Sequence, residues 1–213
     1  MKEIAIKLDG LINLEKQQFG KAIACLTDAF SEDPCLKYLL NSETYDPEKA
    51  KHIHEYTLNI GRLYGYTFAT GKEVEGVCIW LPPNRVDVSS WMFIRAGGLG
   101  MKRTVYPGII ETIKRYGDYS GEIHHRNAQL PHWYLLSIGI SKNNQGRGYA
   151  NTLMKPMLQY FDKNRQSCYL ETHNPKNVAF YERYGFKVVE IGKLPKSEKT
   201  HWAMYREAKE LEN

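Results

Sequence analysis

Apolar residues along this chain recur with two different periods, and the order of those periods predicts a mixed α/β fold. Residues 2–8 alternate like a first strand. Helical spacing follows over 19–30, and a short helix is predicted over 35–40. A longer helix is predicted over 48–64, with a proline just before it, and a hairpin over 66–81 with a glycine-lysine turn. The first third therefore predicts the order β-α-α-β-β.

The C-terminal part has the clearer pattern. It predicts, in order, a strand at 133–140, a helix at 148–163, a strand at 167–172, a short helix at 176–184 and two strands at 186–191 and 201–206. The helix at 148–163 carries one apolar stripe, typical of a helix packed on a sheet. Gly185 stands where a helix C-terminal cap is expected.

Residues 84–131 have the least regular pattern. Apolar residues around Trp91 and Phe93 predict a short helix, and 102–116 predicts another. Residues 117–130 are polar and are interpreted as a loop. Two interpretations of 84–131 stay open: helices that cover one side of the sheet, or a lid or floor for an acceptor site.

Composition narrows the class of protein. The chain has 213 residues, of which 42% are hydrophobic and 25% charged, typical of one globular domain or one domain with an insertion. Its net charge of +5 favours an anionic cofactor but is too small and too dispersed to indicate nucleic acid binding. No apolar run is long enough for a membrane span, and the N-terminus does not resemble a signal peptide. The four cysteines lie far apart, which favours buried reduced thiols in a cytoplasmic protein.

The most informative motif is the glycine-bearing turn Gln145-Gly146-Arg147-Gly148-Tyr149-Ala150, between a predicted strand and a predicted helix. Such a turn can bind a pyrophosphate through free backbone N–H groups and the positive end of the helix dipole. A P-loop is excluded because its lysine is absent. The dinucleotide fingerprint is excluded because Asn151 stands where its third glycine belongs. The remaining pattern, Gln/Arg-x-x-Gly-x-Gly/Ala, resembles the acetyl-CoA signature of the GCN5-related N-acetyltransferase (GNAT) superfamily.

A second block strengthens the resemblance. Asn174, Phe180-Tyr181 and Gly185-Phe186 are similar to the block that follows the fifth strand in this superfamily. The stretch from Leu170 to Arg183, and the pairs Ala29-Phe30 and Asp33-Pro34, resemble the puromycin N-acetyltransferase-like subgroup. The resemblance covers 19–83 and 133–206.

The resemblance implies a single GNAT domain over 1–213, of α/β class. Its central twisted sheet would be mostly antiparallel, with six to seven strands flanked by helices. A V-shaped splay would separate the fourth and fifth strands, and 84–131 would be a helical or loop insertion before the fourth strand. The implied activity is acetyl transfer from acetyl-CoA directly to a primary amine of a small molecule, with no metal. The partners expected are that amine and, at most, a second copy of the chain, with no nucleic acid and no membrane.

The resemblance also implies residue roles. Pantetheine would lie along 138–140, and the leaving thiolate would take its proton from Tyr181. Asn174 would contact the cofactor, or alternatively serve only as a turn residue before Pro175. The implied cofactor-binding residues are Ile138, Gly139, Ile140, Gln145, Gly146, Arg147, Gly148, Tyr149, Ala150, Asn174, Asn177 and Tyr181.

The group that deprotonates the amine is less defined, because 133–140 contains no glutamate. Glu171 is the leading candidate, since strand alternation places Tyr169, Glu171 and His173 on one face. His173, His132 and a water chain stay open as alternatives.

The sequence leaves one alternative function open and disfavours a metal site. A catalytically silent acyl-CoA-binding module, with a sensory or interaction role, is favoured only by the missing strand glutamate. A zinc site is disfavoured, because His52 and His54 lie two residues apart and His124 and His125 are adjacent. Neither pair has the i, i+4 spacing of helical zinc ligands.

Overall fold

The computed structural model describes residues 8, 11–128 and 131–209. Within those residues the helices are α1 Phe19–Ala29, α2 Pro34–Leu39, α3 Pro47–Tyr64, α4 Ser90–Arg95, α5 Met101–Thr104, α6 Ile109–Asn127, α7 Tyr149–Lys163 and α8 Pro175–Glu182. The strands are β1 Ile12–Asn13, β2 Tyr66–Ala69, β3 Gly76–Leu81, β4 His132–Ile140, β5 Ser167–Thr172, β6 Lys187–Lys193 and β7 Thr200–Arg206.

Three helices begin at an acidic or amide residue followed by proline. The side chains of Asp33, Asp46 and Asn174 accept hydrogen bonds from backbone N–H groups in the first turns of α2, α3 and α8. The proline that follows each cap has a backbone conformation suited to the first helical position and needs no partner for an N–H group. Local sequence alone therefore fixes where these helices begin.

The strands form one sheet in the order β1-β2-β3-β4-β5-β7-β6. All neighbours are antiparallel except β4 and β5, which are parallel. Their pairing joins only His132–Leu135 to Ser167–Leu170, after which β4 continues along β3 alone. The two strands thus separate toward their C-terminal ends, which confirms the predicted splay and the mixed, mostly antiparallel sheet.

The helices cover the two faces of this sheet. The stripe of α7 (Leu153, Met154, Met157, Leu158 and Phe161) is buried against Trp80 and Trp133. On the other face α1 packs closely on β3 and β4. At Gly139 of β4 there is no room for a side chain, because an added Cβ would lie 2.9 Å from Leu26 Cδ2 of α1. Burial of each large apolar side chain stabilises the fold by about 1.5–3 kcal/mol, so both helices are held firmly beside the splay.

Two predictions for 84–131 were wrong. Residues 102–116 were expected to form one helix, but α5 ends at Thr104 and α6 begins at Ile109. Residues 117–130 were expected to be a polar loop, but α6 runs without a break from Ile109 to Asn127. Gly117 and Gly121 obscured the helix, yet an added Cβ at either would meet nothing within 4 Å, so they lie on its open side. The buried side of α6 carries the apolar Ile109 and Ile123 and also the polar Thr112, Ser120 and His124, which a hydropathy pattern does not register as buried.

The N-terminal prediction lies almost wholly outside the described residues. Of 2–8, the structure describes only Leu8, which belongs to no strand, and the first observed strand is the short edge strand β1. In the described part of the chain no helix is both long and apolar enough to cross a membrane.

Candidate active site

A cavity of about 2350 Å³ opens where β4 and β5 separate. Its walls come from α2, α3, α4 and α6 on one side and from α7 and α8 on the other. The second half of β4 and the end of β5 form its base. Both halves of a two-substrate site can therefore lie in one continuous space.

The glycine-bearing turn lies at one end of this cavity. Gly146 and Gly148 adopt φ of 76° and 87°, in the left-handed region that favours glycine. Gly148 is the N-cap of the fifteen-residue helix α7, whose first-turn N–H groups have no carbonyl within the helix to bind. Lys142, Lys155 and Lys176 also line the cavity, so this end suits an anion.

The cavity gathers most of the predicted cofactor residues. Arg147 is exposed and does not line it. The eleven others do line it: Ile138, Gly139, Ile140, Gln145, Gly146, Gly148, Tyr149, Ala150, Asn174, Asn177 and Tyr181.

In the described part of the chain, the edge of β4 inside the splay has no strand partner. Ser137 to Ile140 pair with β3 on one side, and β5 has already diverged on the other. A register shift opposite Ile79 and Trp80 leaves Leu136 as an extra residue in β4. Such a bulge bends a strand and re-aims its backbone groups, so this edge can bind an extended ligand.

Tyr181 projects from α8 into the cavity and is 6% exposed. Burial, and the nearby negative charge of Asp33, raise the pKa of its phenol well above the usual range. The hydroxyl therefore carries its proton at neutral pH. One turn earlier Asn177 donates from Nδ2 to Thr172 Oγ1 (3.2 Å), which ties α8 to the end of β5.

Asn174 takes the structural role that the sequence left open. Its Oδ1 accepts a hydrogen bond from the Lys176 N–H at 3.1 Å, so it caps α8. It also lines the cavity. A role in contacting cofactor stays a prediction.

Glu171 is enclosed by hydroxyl groups. Its carboxylate accepts hydrogen bonds from Ser120 Oγ (2.7 Å), Tyr169 (3.0 Å), Tyr116 (3.1 Å) and Tyr134 (3.4 Å). The side chain is only 3% exposed. A buried carboxylate is costly unless it is well hydrogen-bonded, and these four donors from α6, β4 and β5 supply that stabilisation.

Two buried histidine pairs flank this carboxylate. His173 Nε2 lies 3.0 Å from His201 Nδ1, and His201 Nε2 lies 3.9 Å from Glu171 Oε1. On the other side His124 Nε2 lies 2.6 Å from His132 Nε2, and the His124 ring stacks on Tyr169 at 4.2 Å. Burial lowers the pKa of His124 to about 4 and of His173 to about 3, so these rings are neutral at physiological pH.

Asp33 is a further ionisable group of the cavity wall. Burial raises the pKa of its carboxyl to about 6, although its hydrogen bonds to backbone N–H groups oppose that shift. From the sequence, Asp33 was noted only in the Asp33-Pro34 pair of the resemblance, with no role in the site. Its side chain caps α2 and also lines the cavity, so the same carboxyl group fixes the start of the helix and contributes to the charge of the cavity wall.

Comparisons with known proteins agree with this geometry. The Acetyltransferase (GNAT) family matches residues 109–186, from the first residue of α6 to the residue after Gly185. An uncharacterized N-acetyltransferase of Schizosaccharomyces pombe is 27% identical over 182 residues, 81% of this chain and 72% of that protein. These matches support an acetyltransferase of the GNAT superfamily.

Solved structures support the GNAT fold. A Corynebacterium glutamicum structure described as histone acetyltransferase HPA2 and related acetyltransferase superimposes with a TM-score of 0.62. It is 18% identical, and the match covers 96% of this chain and 99% of that one. Arylalkylamine N-acetyltransferase 2 of Aedes aegypti has a TM-score of 0.60 at 10% identity, covering 93% and 98%.

Several residues around Glu171 are not indicated by any sequence motif. Tyr116, Ser120, Tyr134 and His201 converge on Glu171 from three elements, α6, β4 and β7. Of these four, only His201 could have been placed from the sequence. Strand alternation puts it on the same face of β7 as Ala203, which pairs with Glu171 in the sheet. Among the described residues no group of three or more histidine, cysteine or acidic side chains is arranged to hold a metal.

Proposed function

We propose that this protein transfers the acetyl group of acetyl-CoA to a primary amine of a small molecule. One observation carries the proposal: the glycine-bearing turn, the unpaired edge of β4 and Tyr181 all line a single cavity. In this proposal the turn binds the pyrophosphate, and pantetheine pairs with the edge of β4 at 138–140.

The chemistry follows from that placement. The amine attacks the thioester carbon, a C–N bond forms, and the oxygen becomes anionic. Backbone N–H groups near Ile138 to Ile140 are suited to stabilise that oxyanion, a contribution of about 2.7–4 kcal/mol per donor in other enzymes. The C–S bond then breaks, and the thiolate takes the proton of the Tyr181 hydroxyl. The amine nitrogen loses its own proton to a base, and Tyr181 is reprotonated from solvent in the cavity.

The cavity entrance favours an acceptor with an apolar portion. Val88, Ile94 and Leu99 line the cavity and are 38%, 46% and 53% exposed. Solvent-exposed apolar clusters of this kind usually serve binding. The Aedes aegypti neighbour is named for arylalkylamines, and the sequence resembles the puromycin N-acetyltransferase-like subgroup. Both support an amine that carries an aromatic or apolar group.

Two measurements test this function. Calorimetry with acetyl-CoA should give saturable binding, and binding should raise the melting temperature by mass action. A panel of puromycin, arylalkylamines, polyamines, amino acids and aminoglycosides should then show amine-dependent release of free CoA. No binding at millimolar acetyl-CoA would overturn the proposal, whereas binding without CoA release would favour a silent acyl-CoA-binding module.

A matched pair of variants adds a control for the site. Asn177→Ala removes a cavity residue of α8 and should weaken acetyl-CoA binding. Gln159→Ala changes an exposed residue of α7 outside the cavity and should leave binding unchanged.

A further inference from the structure

The geometry points to His173, rather than Glu171, as the base that contacts the amine, with Glu171 and His201 as the residues that position it. This inference rests on the proposed function and names a residue of the same site. The hydroxyl groups around Glu171 already donate hydrogen bonds to its carboxylate oxygens.

Glu171 is poorly placed to take a proton from a substrate directly. A carboxylate has about four lone-pair directions, and four hydroxyl donors already use them. Direct contact with an amine would require one of these donors to be displaced from a side chain that is only 3% exposed. The carboxylate is therefore suited to hold a fixed negative charge.

That charge determines which nitrogen of His201 carries hydrogen. His201 Nε2 faces Glu171 Oε1 at 3.9 Å and, among the described residues, has no hydrogen-bond partner. A proton on Nε2 is attracted by the carboxylate, whereas a lone pair there would be repelled. The favoured tautomer thus has hydrogen on Nε2 and leaves Nδ1 as an acceptor.

The tautomer of His201 in turn fixes that of His173. Because His201 Nδ1 is the acceptor of the 3.0 Å contact, His173 Nε2 must be the donor. His173 Nδ1 then has a lone pair, and this nitrogen makes no hydrogen bond within the described residues. His173 lies directly after β5, at the open end of the splay, and lines the cavity.

In this inference the amine proton passes through His173 to solvent. As the amine nitrogen bonds to the acetyl carbon it becomes acidic, so a weak base suffices to remove its proton. That proton moves to His173 Nδ1, and the positive charge is shared with His201 and stabilised by Glu171. The proton then passes to solvent in the cavity, and both histidines return to their neutral state.

The groups around the pair are consistent with a neutral resting state. His173 is faced by His201 from β7 and by the Tyr116 ring of α6 at 5.8 Å. His201 is faced by Glu171 and, at longer range, by Glu190 of β6, with the Tyr119 ring of α6 at 5.3 Å. Burial lowers the pKa of both histidines, while the two carboxylates oppose that shift at His201.

A spectroscopic experiment tests the tautomers without any acceptor. Long-range ¹H–¹⁵N spectra of the wild-type protein at neutral pH, assigned with His173→Gln, should show His173 protonated at Nε2 and bare at Nδ1. Glu171→Gln should shift the tautomer balance of His201 and His173. A proton on His173 Nδ1 in the wild-type protein would overturn the inference.

Kinetics with the fastest acceptor of the amine panel give the second test. His173→Gln should lower kcat/KM by about 100-fold or more, with the affinity for acetyl-CoA unchanged. Added imidazole should partly rescue His173→Ala. Glu171→Gln should lower kcat more than it changes KM.

His52→Gln is the matched control for these variants, because His52 belongs to α3, pairs with Glu55 and lies outside the cavity. Unchanged turnover in His173→Gln would remove His173 as the base while leaving the acetyltransferase assignment intact. Failure of the wild-type protein to bind acetyl-CoA would instead overturn the proposed function.

Discussion

The carboxylate of Asp162, in α7, binds the guanidinium of Arg206, the last residue of β7, at 2.7 Å. Arg206 is only 3% exposed, and its Nε donates to the Tyr184 carbonyl at 2.8 Å. One side chain therefore joins α7, the segment after α8 and the C-terminal strand. The glycine-bearing turn precedes α7 and Tyr181 lies on α8, so the pair also helps to hold these two parts of the cavity wall together.

Removing Arg206 should destabilise the fold strongly. Arg206→Met leaves the Asp162 carboxylate without its partner, and breaking a buried ion pair costs about 3–5 kcal/mol. The control is Arg126→Met, because Arg126 binds Glu190 at 2.6 Å but is 59% exposed. Exposed pairs contribute about 0–1 kcal/mol. Chemical denaturation of both variants measures the difference, and equal losses would contradict the assignment of Arg206 as a buried tie.

The hydroxyl of Tyr181 should matter for turnover and not for binding. Tyr181→Phe keeps the buried ring but removes the proton offered to the thiolate, so kcat should fall by about 100-fold or more. The dissociation constant for acetyl-CoA should change little. Tyr160→Phe is the control, since Tyr160 lies on α7 outside the cavity. Full turnover in Tyr181→Phe would exclude Tyr181 as the acid.

The turn conformation should determine cofactor affinity. Gly148 has φ of 87°, and an L-residue there costs about 1–2 kcal/mol. An alanine Cβ at this position would meet nothing within 4 Å, so backbone strain is the expected effect. Gly148→Ala should therefore weaken acetyl-CoA binding by about tenfold, measured by calorimetry. Gly20→Ala, in α1 with open space and no positive φ, should bind as tightly as the wild-type protein.

Buried histidines should make the fold sensitive to mild acid. Burial lowers the pKa of His54 and His124 to about 4 and of His173 to about 3, and lowers that of His201. Below pH about 6.5 the unfolded chain binds protons that the folded chain does not, so stability falls as pH falls. The loss approaches about 1.4 kcal/mol per pH unit for each histidine.

One group opposes this trend. The raised pKa of Asp33, about 6, means that the folded state binds a proton more readily than the unfolded state, which stabilises the fold as pH falls toward 4. Denaturation at pH 7.5, 6.5, 5.5 and 4.5 should still show a net loss below pH about 6.5. His54→Phe should flatten the curve, because His54 packs on Phe30 and its Nε2 has no partner among the described residues. A stability that does not change over this range would contradict the burial of these rings as neutral groups.

The donor half of the site was readable from sequence because its chemistry is local. The strand-turn-helix around Gly148 and Ala150 is encoded by six consecutive residues, and its backbone N–H groups are suited to bind an anion. The caps at Asp33, Asp46 and Asn174 are equally local, which explains why the starts of their helices were predicted closely. The second half of α6 was not predicted, because its buried side mixes polar Ser120 and His124 with apolar Ile123 and because Gly117 and Gly121 are unfavourable inside a helix.

The order of most elements and the position of the glycine-bearing turn could be predicted from the residues, since each depends on neighbouring positions, and the splay was implied by the resemblance to the GNAT superfamily. The surroundings of Glu171 were visible only in the folded structure. Its hydroxyl donors lie 51 and 55 residues away on α6 and 37 residues away on β4, and His201 lies 30 residues beyond it. Such a network forms only when helix and sheet pack together, because hydrogen-bond geometry between distant side chains leaves no periodic trace in the chain. The same packing leaves His173, rather than the more obvious carboxylate, with a free nitrogen at the cavity.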